Sequence, residues 1–139
     1  MYFNRKLYVG GNTYQYNGDC DNLIEISLKY LNSCADIDLM ELKKQTEKAL
    51  QNSYFYLGKL AFRKTESHPI NMNLFETTLF LMTNVTVQKE GINGVLKAKL
   101  YDTINSKAFS SYIGNGRDGV SNVEGRFRLI NSVIKEIEG

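Results

Sequence analysis

The sequence predicts an α+β fold: a mainly antiparallel sheet of about seven strands, in the order βββα-ββββα, with two helices packed on one face. Three observations carry this reading. Residues 23–31 alternate, with Ile24, Ile26, Leu28 and Tyr30 on one side and Glu25, Ser27 and Lys29 on the other. Residues 53–65 are rich in aromatic residues, and 75–88 and 94–102 follow as strand-like segments separated by the turn-forming "KEGING". Two further segments, 35–51 and 122–137, repeat their apolar residues at helical spacing behind capping signatures.

In chain order, "RKLYV" and "NTYQYN" read as strands around Gly10 and Gly11, and "NGDCDN" reads as a turn into the strand at 23–31. That segment has a competing helical reading, because Ile24, Leu28 and Leu31 also fit a helix. The first helix follows. Asp38 is placed to cap it and Glu41 stands three residues on, a capping box with Asp in the Ser/Thr role. Ile37 and Leu42 are spaced as a staple around that cap. Leu39, Leu42, Ala49 and Leu50 form the expected buried side, and Lys43, Lys44 and Lys48 the wet one. A second meander is expected from "SYFYLGKLAFRKT", "FETTLFLMTNVTVQ", "GVLKAKLYD" and "AFSSYI", with Ala98 and Leu100 facing one way and Lys97 and Lys99 the other. The chain closes with a helix over about 122–137, capped by Ser121 with Glu124. Val123, Phe127, Ile130, Ile134 and Ile137 form its apolar stripe. The 139 residues contain no linker and no low-complexity tract, so residues 1–139 read as one domain.

Gly114, Gly116 and Gly119 stand in the G-x-G-x-x-G spacing of a dinucleotide loop. The context opposes that use. No strand follows to complete a parallel unit, and Glu136 and Glu138, the acids at the ribose-binding distance, end a terminal helix. The glycines read better as a sharp turn, with Gly119 taking a positive φ before the Ser121 cap. A weaker candidate remains at the same place: Gly114, Gly116, Arg117, Gly119 and Ser121 as an anion or phosphate site at a helix start. A second candidate is aromatic. Tyr14 and Tyr16, and Tyr54 and Tyr56, share strand faces if those segments are strands, near Lys59, Arg63 and Lys64. Arg117, Arg126, Arg128 and Lys135 form a basic run that Glu124, Glu136 and Glu138 interrupt, which reads as a solvated, salt-bridged face.

Other chemistry is sparse. His68 is the sole histidine and precedes Pro69 in a loop, a place where a solvated ring is the ordinary outcome. Cys20 and Cys34 lack metal-ligand spacing and read as free thiols, with a mutual disulfide as the alternative. No metal or cofactor is expected, and no catalytic residue is assigned. Asn84-Val85-Thr86 matches a glycosylation sequon but falls inside a predicted strand. The net charge of +2 does not call for a polyanion, so nucleic acid is not the expected partner. No apolar run is long enough to cross a membrane, and the start lacks a signal-peptide core, which favours the cytoplasm unless a leader has been removed. By exclusion the expected function is a non-catalytic interaction or assembly module that pairs with a protein partner or with itself as a homodimer. The alternative is a small-ligand or nucleic-acid binder using the glycine turn and the tyrosines. A small enzyme using His68 or a tyrosine hydroxyl, in a cavity under the sheet, ranks third.

Overall fold

The computed structural model describes residues 2–3, 6–9, 12–84, 92–114 and 116–138. It is mainly helical, which overturns the predicted α+β sheet fold. Three short strands, β1 (Tyr2–Phe3), β2 (Lys6–Val9) and β3 (Asn12–Gln15), pair antiparallel in that order. Beyond them every regular element among the described residues is helical: α1 (Cys20–Ser33), α2 (Asp36–Leu57), a 3₁₀ turn (Gly58–Leu60), α3 (Met72–Asn84), α4 (Ile92–Ile104), α5 (Lys107–Ser110) and α6 (Val120–Glu138).

Each misread strand fails for a physical reason. In residues 23–31 Ile24 and Leu28 lie four apart, a spacing that satisfies both a two-residue and a 3.6-residue period, while Leu31 continues the helical series and Ile26 and Tyr30 the alternating one. The local start signal decides: the Asp19 side chain caps α1 by accepting from the Asn22 N–H at 3.0 Å. Leu96, Leu100 and Ile104 repeat the same ambiguity in α4, where all three are buried while Lys97 and Ala98 are exposed. So Ala98 does not share a face with Leu100. The aromatic run at 53–57 continues α2, because Ala49, Ser53, Tyr56 and Leu57 keep its inner side against the core. In the segment from 75 on, Leu74, Thr77, Thr78, Leu81 and Met82 are buried at helical spacing. The β-branched threonines are tolerated there because Thr77 Oγ1 donates back to the Asn73 carbonyl at 2.7 Å. "AFSSYI" becomes α5 and a turn, capped by Ser106 Oγ, which accepts from the Phe109 N–H at 3.1 Å.

The helix starts also shift. Ala35, not Asp38, stands before α2, and Asp36 and Asp38 fall in its first turn, where they oppose the positive end of the helix dipole. Leu39 and Leu50 are exposed rather than buried. In α6 the cap position is Gly119, whose carbonyl accepts from the Asn122 and Val123 N–H groups, and Ser121 lies inside the first turn. Val123, Phe127 and Ile130 are buried as the spacing predicts. The side chains of Ile134 and Ile137, and residues Val85 and Thr86 of the sequon, lie outside the described ones.

The main core gathers residues from α2, α3, α4 and α6 around Phe109. A second cluster, Tyr16, Val123 and Phe127, takes Leu23 and Phe80 against it, with Phe80 and Phe127 edge to face at 5.2 Å. It seats the start of α1 and the start of α6 beside α3.

Candidate functional site

The turn between α5 and α6 is held by three side chains from elsewhere in the chain, and all three donate to its carbonyls. Asn73 Nδ2 reaches the Gly114 carbonyl at 3.1 Å, Arg126 Nη1 the Arg117 carbonyl at 2.8 Å, and the Tyr16 hydroxyl the Asp118 carbonyl at 2.6 Å. Gly114 and Gly116 have φ of 124° and 72°, values that suit glycine, so the chain reverses there without strain. Gly119 is not left-handed, contrary to expectation.

Arg126 is the anchor of this arrangement. It is 2% exposed, and its Nη2 forms an ion pair with Glu76 Oε2 of α3 at 2.8 Å. The sequence reading set Arg126 on a wet, basic face. The missed signal is its position: three residues after Val123, it falls on the apolar stripe of α6 rather than opposite it. With Arg126 withdrawn inside, the basic run of Arg117, Arg128 and Lys135 loses its middle member.

Burial, reinforced by the nearby Cys20, Asp118 and Glu76, pushes the Tyr16 phenol up to about 12 from its ordinary 10.0. The sign follows directly. Below pH 10 the phenol is neutral in both folded and unfolded chains, and its bond to the turn is intact. As pH rises from 10 toward 12 the unfolded chain ionises first, so stability is lost through that window. Tyr16→Phe is expected to cost about 1 kcal/mol at pH 7, the worth of one hydrogen bond. Urea midpoints should show that gap shrinking and then reversing as pH approaches 12. An equal gap at pH 7 and pH 11 would show that Tyr16 does not couple to folding in this way.

The same acids act on Cys20. Burial first, then Asp118 and Glu76, raise its thiol, which disfavours a nucleophilic thiolate. Cys20 opens α1 and Cys34 follows its last residue. A helix of that length separates them by about 20 Å, and a disulfide needs Cα atoms within roughly 7 Å. The predicted alternative of a Cys20–Cys34 bond is therefore corrected: both are free thiols.

A cleft of about 490 Å³ opens beside the turn. One wall is the loop before α3, with Lys64, His68, Pro69 and Ile70, and the first residues of that helix, Met72 and Asn73, with Asn71 before them. The other wall is Gly114, Gly116 and Asp118. Phe62, with φ of 63°, turns the chain into this loop. Its carbonyl accepts from the Asn71 N–H at 2.8 Å and its ring stands edge to face on Phe75 at 4.8 Å, contacts that offset the strained backbone. Arg63 Nη1 donates to the His68 carbonyl at 2.6 Å, and His68 Nδ1 shares a 2.5 Å hydrogen bond with Thr65 Oγ1. The His68 ring is exposed and its partner is a hydroxyl rather than a carboxylate, so it lacks the closed pocket and the orienting acid that general-base catalysis uses.

Of the five turn residues named from the sequence, the structure brings Gly114 and Gly116 to the cleft. Arg117 is exposed and gives its carbonyl to Arg126, Gly119 heads α6, and Ser121 sits exposed in the first turn of α6. Tyr54 and Tyr56 do not share the expected face. They sit on a helix, where residues two apart diverge, and they are 74% and 3% exposed. Tyr16 is buried against α6, and Tyr14 lies in β3, its side chain outside the described ones. Among the described residues no group of His, Cys, Asp and Glu is placed to hold a metal ion, and no helix is long and apolar enough to cross a membrane. No protein-family model, curated protein or solved structure matches the chain.

Proposed function

We propose that this chain is a non-catalytic interaction module that self-associates through α1 and the first half of α2. One observation carries the reading: α1 has no fully buried residue, and Ile24, Leu28 and Leu31 form an exposed stripe along it. A helix of this length is marginal alone in water and gains its stability by covering an apolar face. The first turns of α2 expose two more apolar side chains, Ile37 and Met40, which are 76% and 70% exposed. Exposed apolar side chains concentrated on one stretch of chain support an interaction surface there.

The charges favour a second copy as the occupant. Asp36, Asp38 and Glu41 lead α2, and Lys43, Lys44 and Lys48 follow, with Glu47 paired to Lys43 at 3.9 Å. Two copies laid antiparallel across a twofold axis set the acids of each against the lysines of the other. Sedimentation velocity tests this. The protein is expected to dimerise by roughly 100 µM, a modest affinity by the usual free-energy scale. Leu28→Glu combined with Met40→Glu should give a monomer of unchanged helicity, since both side chains are exposed. A wild-type monomer at that concentration would refute the proposal.

A further inference from the structure

The cleft between the loop before α3 and the glycine turn is separate from the α1–α2 surface and carries an inference of its own. We infer that it binds a small monoanionic carboxylate with a short apolar body.

The cleft is preformed. Asn73 ties its two walls together through the Gly114 carbonyl, and Asn71 Oδ1 fixes the start of α3 by accepting from the Leu74 N–H at 3.1 Å. Its volume of about 490 Å³ falls in the range of ordinary small-molecule sites. The space above the turn is open: a Cβ built on Gly114 or Gly116 meets nothing within 4 Å. Positive φ, rather than close packing, therefore explains glycine at both positions, and the turn's backbone is left accessible to a ligand.

The chemistry of the walls selects the ligand. Lys64 brings an ammonium group to one side and Asp118 a carboxylate to the other. A single negative charge is matched by Lys64. A phosphate dianion would bring a second charge toward Asp118, where like charges repel. Part of the first wall is apolar and uncovered: Ile70 and Met72 are 51% and 70% exposed, with Pro69 between Ile70 and His68. Covering those side chains favours a ligand with an aliphatic or aromatic body. The start of α3 is not itself the anion seat, because Asn71 already occupies its cap.

The test is a ¹H–¹⁵N NMR titration of the full chain with sodium hexanoate, with inorganic phosphate and 1-hexanol as comparators. Hexanoate is expected to shift the Gly114, Gly116 and Asn73 amides saturably, with millimolar affinity suited to so small a ligand. Lys64→Ala, an exposed position that leaves the fold intact, should weaken binding about tenfold, as expected for one charge-assisted contact. Met72→Ser should weaken it several-fold. Shifts that never saturate, or that fall on α1 and α2 instead, would overturn the inference. So would phosphate or hexanol binding as tightly as hexanoate, or Lys64→Ala binding as well as wild type.

Discussion

Arg126→Ala is expected to lower stability by about 3 kcal/mol, the low end of the cost of breaking a buried ion pair. The side chain is almost fully buried and makes two charge-assisted bonds, to Glu76 and to the Arg117 carbonyl. Removing it leaves a void between α3 and α6, a carboxylate facing that void and an orphaned carbonyl. The low end applies because Glu76 is partly exposed and can recover water on one side. With a urea m-value usual for a domain of this size, the midpoint should fall by roughly 1.5 M. Arg126→Met should recover part of the loss. It refills the volume, and it also removes Arg126 Nε, which is buried without a hydrogen-bond partner. Glu76→Gln should cost about 1 kcal/mol, because a neutral acceptor remains for Nη2. Hydrogen exchange at Gly116 and Asp118 separates this account from a loss of packing alone. Arg126→Met should speed exchange there, since the clamp on the turn is gone. A midpoint shift below roughly 0.3 M for Arg126→Ala would show that α3 and α6 do not depend on the pair.

The part of the fold legible in the sequence was the part with unambiguous local signals. α6 could be read because Val123, Phe127 and Ile130 alternate steps of four and three, which no strand accommodates. α4 could not, because Leu96, Leu100 and Ile104 advance by fours, and a strand and a helix bury such a series equally well. In α1 the steps of Ile24, Leu28 and Leu31 fit a helix, but Ile24, Ile26, Leu28 and Tyr30 also alternate with Glu25, Ser27 and Lys29 as a strand would. In α3 and the end of α2, β-branched and aromatic residues favoured strand by propensity. Packing of Leu74, Leu81, Tyr56 and Leu57 into one shared core outweighed that preference. At the candidate site, Gly114 and Gly116 were visible because a left-handed backbone leaves a mark in residue choice. The cleft was not, since Lys64 and Asp118, which line it, lie more than fifty residues apart in the chain and nothing local links them. The Arg126–Glu76 pair was hidden for the same reason, though the place of Arg126 on an apolar stripe was a usable warning.

Gly125→Ala tests a contact that helix propensity would misjudge. In an exposed helix interior the change gains about 1 kcal/mol. Here Gly125 is buried in α6 and the Tyr112 ring lies directly over it. An added Cβ would lie 2.4 Å from Tyr112 Cε1 and 2.5 Å from Cζ, so the ring must move as a rigid plate. Overpacking of this kind costs about 3 kcal/mol, for a net loss of about 2 kcal/mol after the propensity gain. The midpoint of thermal unfolding should drop by roughly 6 °C. The decisive measurement is the same substitution in a Tyr112→Ala background. With the ring gone, only the propensity term remains, and Gly125→Ala should become stabilising by about 0.5–1 kcal/mol. A sign reversal of that kind assigns the glycine to close approach rather than to backbone freedom. Equal losses in both backgrounds would place the cause elsewhere in α6. The contact also bears on the cleft. Tyr112 is two residues before Gly114, and its N–H returns to the Phe109 carbonyl at 3.0 Å, so the ring sets where the chain enters the turn. Displacing it moves Gly114 relative to Asn73, the bond that joins the two walls. Gly125→Ala should therefore weaken hexanoate binding although it touches no residue of the cleft.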